Sequence, residues 1–306
     1  MNSQRKLQDK QQAKRETNLR DEASKLLPGL YLVATPIGNL GDITLRALEA
    51  LRGCDVIMCE DRRATARLLQ HYGVGTPTQS YHDHSAASVR TAIIERLRDG
   101  ARIALVSDAG TPLISDPGYK LVRMAVAEGL HVSALPGACA PVMALSLSGL
   151  PTDRFFFAGF LPPRQAARKA QLRQLATVPG TLIFFESPRR LAASLADMAE
   201  IFGDRPAAVA RELSKLFEEV VRGSLSELAQ RYGADGPPKG EIVILIDSPE
   251  AVPGQTGDLL ESDLDSRLQV ELSRHRLKEA VARVTADTGL PRKQVYARAL
   301  ALSGQD

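Results

Sequence analysis

From Leu30 onward, short apolar runs alternate with turn-rich loops and with segments of helical spacing, and this alternation restricts the chain more than any other feature. Leu30–Ala34, Asp55–Cys59, Ile103–Val106, His131–Ala134, Thr181–Phe185, Ala207–Ala210 and Glu241–Ile246 read as strands. Segments such as Thr44–Leu51 between them have helical spacing. Alternation of this kind predicts α/β layers. With 306 residues, 44% of them apolar, the chain has material for about two domains. Ser, Gly and Pro interrupt the pattern at Leu147–Asp153 before the apolar stretch Phe155–Leu161, so we expect one α/β domain over 28–146 and a second over 147–248.

The ends of the chain differ from its middle. Residues 1–27 hold seven Lys/Arg against four acids, with many Gln and almost no apolar side chains, and predict a disordered basic tail. Asp247–Gly257, with two Pro and two Gly, reads as a linker. Beyond it, 258–306 carries Arg274, His275, Arg276, Lys278, Arg283, Arg292, Lys293 and Arg298 on helical spacing, a small basic helical unit. The formal net charge of +3 is too mild by itself to imply nucleic acid. No apolar run approaches the roughly 20 residues of a membrane span, and the N-terminus lacks the apolar centre of a signal peptide. The expected compartment is therefore the cytoplasm. Cys54, Cys59 and Cys139 have no metal-ligand spacing and read as reduced thiols.

Polar and turn-forming residues gather where strands end. Ser107-Asp108-Ala109-Gly110-Thr111-Pro112-Leu113-Ile114-Ser115-Asp116-Pro117-Gly118 follows an apolar run and precedes a helical segment. Open α/β sheets bind ligands in the crevice outside the carboxyl ends of their strands. A simple capped turn explains one Gly and one Asp but poorly explains a loop this long, so a ligand loop is the expectation. The first loop, Thr35–Asp42, has Gly38 and Gly41 but no Gly-x-Gly-x-x-Gly, and no Walker-type Gly-Lys-Ser/Thr occurs. It is either a structural turn or a substrate-facing loop. Glu60-Asp61-Arg62-Arg63-Ala64-Thr65 is either a helix cap with ion pairs or the wall of a polar site. Leu135-Pro136-Gly137-Ala138-Cys139-Ala140 suits close approach of a ligand, or close helix-to-strand packing. His82 and His84 stand two apart, but no third ligand completes a metal set, so no metal is expected. Phe184–Arg190 and Ala210–Glu219 place further charge at strand ends.

Taken in order, these loops closely resemble those of the tetrapyrrole-methylase superfamily of S-adenosylmethionine-dependent enzymes. The pieces that carry the resemblance are Ala34–Leu40, Glu60-Asp61-x-Arg63-x-Thr65, His82-Asp83-His84, Ser107–Gly118, Leu135-Pro136-Gly137, Gly159–Pro162, Phe185-Glu186-Ser187, Ala210–Lys215, Lys239-Gly240-Glu241 and, past the linker, Thr288–Lys293 with Tyr296. Within the superfamily they are most similar to the branch that methylates the ribose 2'-oxygen of a cytidine in the decoding region of 16S rRNA. The resemblance implies two α/β domains with the cofactor in the interdomain cleft, a small C-terminal helical unit, and a homodimer. It implies 16S rRNA or the small ribosomal subunit as partner, and neither membrane nor metal. The implied contacts to S-adenosyl-L-methionine are Pro36, Ser107, Asp108, Ala109, Gly110, Thr111, Pro112, Ile114, Pro136, Gly137, Ala138, Cys139, Ala140, Phe185, Glu186, Leu213, Gly240, Glu241 and Ile242. Thr111 stands in the position of the superfamily's loop Asp, a change that backbone contacts survive. Arg62 stands where Thr is expected, and Arg189 where His is common.

A ribose hydroxyl is a poor nucleophile at neutral pH, so methyl transfer to it calls for a proton acceptor and an aligned geometry. The candidates for that role are Asp61, Glu186, Glu212, His84 and Lys215, the last either orienting a phosphate or, with a lowered pKa, accepting the proton. Arg62, Arg63, Arg189, Arg190, Arg292 and Lys293 are the expected RNA contacts. With no Trp and few aromatics, extensive base stacking is not the expected binding mode. Two other readings use the same fold: a methylase of a small tetrapyrrole precursor, and a non-enzymatic RNA-binding assembly factor. Basic residues outside the cofactor loops count against the first, intact loops in both halves against the second.

Overall fold

The computed structural model describes residues 26–82, 87–249, 255–288 and 292–303, leaving out the side chains of 255–263 and 294. In the first half, β1 (Gly29–Val33), β2 (Val56–Cys59), β3 (Thr78–Ser80), β4 (Arg102–Val106) and β5 (Val132–Leu135) alternate with α1 (Leu45–Gly53), α2 (Arg62–His71), α3 (Ala87–Arg98) and α4 (Tyr119–Ala127). The strands form one parallel sheet in the order β3-β2-β4-β1-β5. Parallel strands covered by helices on both faces carry apolar residues at every position, and β2 and the last four residues of β4 are fully buried. Thr44 and Asp61 cap α1 and α2 with their side-chain oxygens.

The second half begins with α5 (Ala140–Ser148), which ends on Gly149 in the left-handed region at φ +79. It continues through β6 (Phe155–Phe160), α6 (Gln165–Leu175), β7 (Thr181–Glu186), α7 (Leu191–Phe202), β8 (Pro206–Arg211), β9 (Glu219–Ser224), α8 (Leu225–Ala234) and β10 (Ile242–Ile246). This sheet is mixed, in the order β6-β7-β10-β8-β9; β6 and β7 are parallel and the other pairs antiparallel. One face buries Leu182, Phe184, Leu195, Met198, Val209, Ile244 and Ile246 beneath α6, α7 and α8. The other buries Ile183, Ala208, Ala210, Val243 and Leu245 with Ala144 and Leu145 of α5. The last helix before the sequence break thus belongs by packing to the second sheet. Arg222 fastens its end by donating to the carbonyls of Leu147 and Ser148.

Both sheets lie in one compact unit that ends at Pro249. The second unit contains α9 (Gln255–Leu272), α10 (Leu277–Thr288) and α11 (Arg292–Ser303), packed around Leu264, Leu268, Val281, Val284, Val295 and Ala299. Arg298 donates two hydrogen bonds to Asp265, both 2.6 Å, tying α11 to α9. Helix α9 starts at Gln255, inside the stretch expected to be linker. The expected basic tail, residues 1–27, lies almost wholly outside the described residues. Cys54 and Cys59 are buried, and burial pushes the Cys54 thiol up to about 11; Cys139 is half-buried. Among the described residues no helix is long and apolar enough to cross a membrane.

Arg168 on α6 and Asp197 on α7 form an ion pair at 2.6 Å inside the second half, with side-chain exposures of 5% and 3%. Burial pushes the Asp197 carboxyl up, but hydrogen bonds from Gln165 and Arg168 more than offset this, so its pKa lies below the ordinary 3.8. A pKa lowered on folding means that the unfolded chain binds the proton more readily. The stabilisation is therefore complete above pH 3.8 and is lost as pH falls through the lower, folded value. Asp197→Ala, which strands Arg168 in the interior, is expected to cost about 3–5 kcal/mol in urea unfolding at neutral pH. The difference from wild type is expected to shrink when the titration is repeated below pH 3.8.

Candidate active site

The loops after β1 and β4 are joined beyond the ends of their strands. Thr35 and Gly110 exchange backbone hydrogen bonds of 2.9 and 3.0 Å, an antiparallel bridge appended to a parallel pair. The Ser107 hydroxyl donates to Gly110 O at 2.7 Å, and the Thr35 hydroxyl donates to Ser107 O at 3.1 Å. Thr111 donates to Ala138 O at 3.0 Å, which adds the loop after β5. Gly110 has φ +82, and a Cβ there would sit 3.2 Å from Ile37, so a side chain would crowd the junction. Farther along the loop, Leu113 and Ser115 hold left-handed conformations at φ 72 and 63, which only surrounding contacts make tolerable for residues with a Cβ.

A cavity of about 390 Å³ opens beside this junction, within the range of small-ligand sites. Ile37, Ala109–Thr111, Ile114–Asp116 and Cys139–Pro141 form one wall. Phe160, Phe185–Pro188, Leu213 and Gly240–Val243 form the other. The chain direction explains this second wall. Strands β6, β7 and β8 end at this edge, and β10, antiparallel to β7 and β8, begins there. The rings of Phe157 and Phe160 pack on Phe185 at 5.0 and 5.3 Å.

Glu186 is buried in that wall. Its Oε1 accepts from the backbone of Ser187 at 2.7 Å and from Arg190 Nε at 2.7 Å, and its Oε2 accepts from Ser194 at 2.6 Å. Arg190 also donates to Leu161 O. At the far end, Lys215 Nζ donates to Glu212 Oε1 at 2.8 Å and to Glu241 Oε2 at 3.0 Å. Burial lowers the Lys215 pKa, but these two carboxylates more than offset it and leave the ammonium above the ordinary lysine value. The Lys215 hydrogen bond chiefly holds the Glu212 carboxyl below its usual range. Glu212 and Ser214 have φ 52 and 64, and Ser214 donates to Asp42 across the junction of the two halves.

A second, open cleft of about 780 Å³ lies on the other side of the β4 loop, lined by Glu60–Arg63, Ala66, Thr78, Ser80, His82 and Asp108. Asp61 caps α2 by accepting from Arg63 N at 2.7 Å, and its own amide donates to Asp108 Oδ1 at 3.0 Å. Arg62 Nε donates to Thr78 at 3.3 Å.

Of the residues expected at the cofactor, Ala109, Gly110, Thr111, Ile114, Cys139, Ala140, Phe185, Glu186, Leu213, Gly240, Glu241 and Ile242 line the cavity. Ser107, buried, and Ala138, through its carbonyl, brace the loops from behind. Asp108 faces the polar cleft. Pro36, Pro112, Pro136 and Gly137 do not line the cavity; Pro112 is buried, and Gly137 lies against Ala34. Sequence reasoning missed Ile37, Ser115, Asp116, Pro141, Phe160, Ser187, Pro188 and Val243. Most of these are sequence neighbours of residues it did find, so widening each loop by one or two positions recovers them.

The expectations for catalysis and RNA change as well. Glu186 has both oxygens occupied, and Glu212 and Glu241 hold Lys215 as a cation, against the expectation of a lowered pKa there. Arg190 is bound into the wall by Glu186, not free for phosphate. Arg62, Arg63 and Arg189 are exposed, as are Arg292 and Lys293 in the second unit. His84 lies outside the described residues.

Residues 29–229 match the family model of tetrapyrrole (corrin/porphyrin) methylases. The chain belongs to that family. Residues 258–303 match a second model, the RsmI C-terminal HTH domain. The methylase is 48% identical over 282 residues to ribosomal RNA small subunit methyltransferase I of Mesorhizobium japonicum, covering 92% of this chain and 94% of that one. It is 51% identical over 281 residues to the protein of that name from Erythrobacter litoralis, covering 92% and 97%. Among solved structures it resembles a cobalt precorrin-4 methyltransferase at TM-score 0.54 and 19% identity, covering 71% of this chain and 94% of that one. The family takes its methyl group from S-adenosyl-L-methionine.

The cavity fits that cofactor. Its walls are mostly apolar, and among the described residues that line it Asp116, Glu186 and Glu241 bring acids but none brings Lys or Arg, which suits a cationic ligand. Gly240 has φ +100, and a Cβ there would overlap the Glu212 carboxylate. Gly240→Ala is therefore expected to weaken S-adenosylmethionine binding at least about tenfold by calorimetry, roughly 1.4 kcal/mol. Unchanged affinity in a folded variant would exclude this stretch from the site.

Proposed function

We propose that this methylase transfers the methyl group of S-adenosylmethionine to the ribose 2'-oxygen of a cytidine in the decoding region of 16S rRNA. The observation that carries the reading is the pairing of two clefts across one loop, a cofactor-sized cavity on one side and an arginine-bearing polar cleft on the other. The names of the relatives and the match of the C-terminal unit support an rRNA substrate.

When bound, the cofactor supplies an electrophilic methyl on a positively charged sulfur. The chain's own part is to hold the acceptor oxygen in line and remove its proton, and alignment alone removes much of a transfer barrier. Residues Ala109–Thr111, Phe185, Leu213 and Gly240–Ile242 would hold the cofactor. Asp61 is the proton acceptor in this reading. It lines the polar cleft next to the shared loop, and its cap to Arg63 uses Oδ1, leaving Oδ2 without a hydrogen bond to any described residue. Glu212 and Lys215 keep each other charged at the cavity end and shape the turn at Gly240. Arg62, Arg63 and Arg189, with Arg292 and Lys293, supply phosphate contacts, so binding is expected to weaken steeply with salt. The reading also carries a homodimer. The edge strand β6 exposes Phe155 on one side of the sheet and Phe156 on the other, apolar surface that such contact would cover, which light scattering tests.

The deciding experiment offers labelled S-adenosylmethionine with small-subunit particles, free rRNA or tetrapyrrole precursors, and maps the label. Label on a cytidine ribose of the decoding region is expected, with Asp61→Asn lowering kcat by about a hundredfold or more, the scale of lost general-base catalysis. Label on a base, or in a tetrapyrrole with none in RNA, overturns the reading.

A further inference from the structure

Among the described residues the polar cleft holds three carboxylates, and the fold uses two of them. Asp61 caps α2, and Asp108 receives the Asp61 amide, which stitches the loop after β2 to the loop after β4. Glu60, the last residue before that cap, makes no hydrogen bond or ion pair with any described residue, although it is exposed in the same cleft as Arg62 and Arg63. Ser80, on the edge strand β3, is exposed there with no hydrogen bond to any described residue. Among the described residues Arg62 is engaged only through its Nε, by Thr78, and its terminal nitrogens donate to none of them.

We propose that this cleft receives the base of the acceptor nucleotide and that Glu60 selects cytosine. The inference rests on the function proposed above and adds the residue that reads the base. A charged carboxylate only accepts hydrogen bonds, whereas a guanidinium only donates. Cytosine presents one donor, its exocyclic amine, beside two acceptors, the ring nitrogen and the carbonyl oxygen. One free carboxylate next to guanidinium and hydroxyl donors complements that order. Uracil puts a carbonyl oxygen where cytosine has the amine, and two facing acceptors repel, so Glu60 works against uracil as much as it works for cytosine. Guanine shows two donors and one acceptor, the reverse of what this cleft offers. The placement suits the reaction, because Asp108 lines the cleft while the next three residues, Ala109–Thr111, line the cofactor cavity. A base seated beside Glu60 brings its sugar to that shared loop and to Asp61.

The test uses the full-length protein and small-subunit particles reconstituted from rRNA carrying either cytidine or uridine at the labelled position. Wild type is expected to favour cytidine by about ten- to a hundredfold in kcat/KM, the discrimination of one good base contact. Glu60→Gln presents an amide that can turn its oxygen to cytosine or its nitrogen to uracil. It is expected to bring the ratio to within about threefold, with the rate on uridine rising in absolute terms. A ratio unchanged in Glu60→Gln, including an equal fall on both particles, overturns the assignment of Glu60 while leaving the proposed function standing. Absence of label at any decoding-region cytidine with the wild-type protein overturns both.

Discussion

The pair of backbone hydrogen bonds between Thr35 and Gly110 holds the ligand-binding edge together. Strands β1 and β4 are neighbours in a parallel sheet, so the loops leaving them emerge side by side. Nothing in a parallel ladder makes such loops bond to each other. Gly110, with φ +82, turns the second loop back so that its amide and carbonyl meet those of Thr35. The hydroxyls of Ser107 and Thr35, both buried, are spent on carbonyls of the same junction, which meets the requirement that buried polar groups be paired. Two residues on, Ile37 packs among Ile183, Val243 and Leu245 of the second sheet and lines the cavity. One bridge thus sets the β4 loop, a wall of the cavity and a contact between the two halves.

Every interior strand was legible in the sequence, whereas of the four edge strands only β5 was. All seven apolar runs correspond to strands, with ends moved by a residue or so, as in Val132–Leu135 for His131–Ala134. The three strands missed, β3, β6 and β9, are all at sheet edges. An edge strand has one neighbour and exposed positions, so Thr78-Gln79-Ser80 and Glu219–Ser224 need no apolar run. Strand β6 is apolar enough, but its Phe residues are largely exposed and a bulge at Ala158 breaks the alternation. The turn residues at Leu147–Asp153 were visible, whereas the allegiance of α5, which precedes them, to the second sheet was not. Its mates Ala208, Ala210 and Val243 lie at least sixty residues away.

Residue types pointed to loops that line the cavity but not to the surroundings of each side chain. A carboxylate at a strand end looks the same whether it is a base, a cap or half of an ion pair. Glu186 is held by Arg190 and Ser194, Glu212 by Lys215, and Asp61 by its own helix. These partners stand three, four or eight residues away, or on a neighbouring backbone, so the pairs are partly legible as local spacing. What spacing cannot show is whether an acceptor is left over. That depends on burial and on which nitrogens converge, and it separates Glu186, with both oxygens filled, from Glu60, with neither engaged by a described residue.

Charge follows the same division between the two sides of the β4 loop. In the cavity, carboxylates surround apolar walls and the two nearby cations, Arg190 and Lys215, are neutralised by Glu186, Glu212 and Glu241. Among the described residues, no free cation of that wall opposes a positively charged cofactor. Across the loop, Arg62 and Arg63 are exposed and their neighbouring acids are engaged with backbone or left open, which suits a polyanion that also offers a hydrogen-bonding base. A cation on one side and an anion on the other demand opposite fields a few residues apart. The loop manages this because its backbone, rather than a charged side chain, forms the partition: Asp108 turns to the polar cleft, and Ala109 and Gly110 bring no charge to the cavity. Thr111 keeps that partition neutral, its hydroxyl committed to Ala138. The excess negative charge beside the cavity therefore lies where Glu212 and Glu241 share the single cation Lys215, Glu186 being balanced by Arg190.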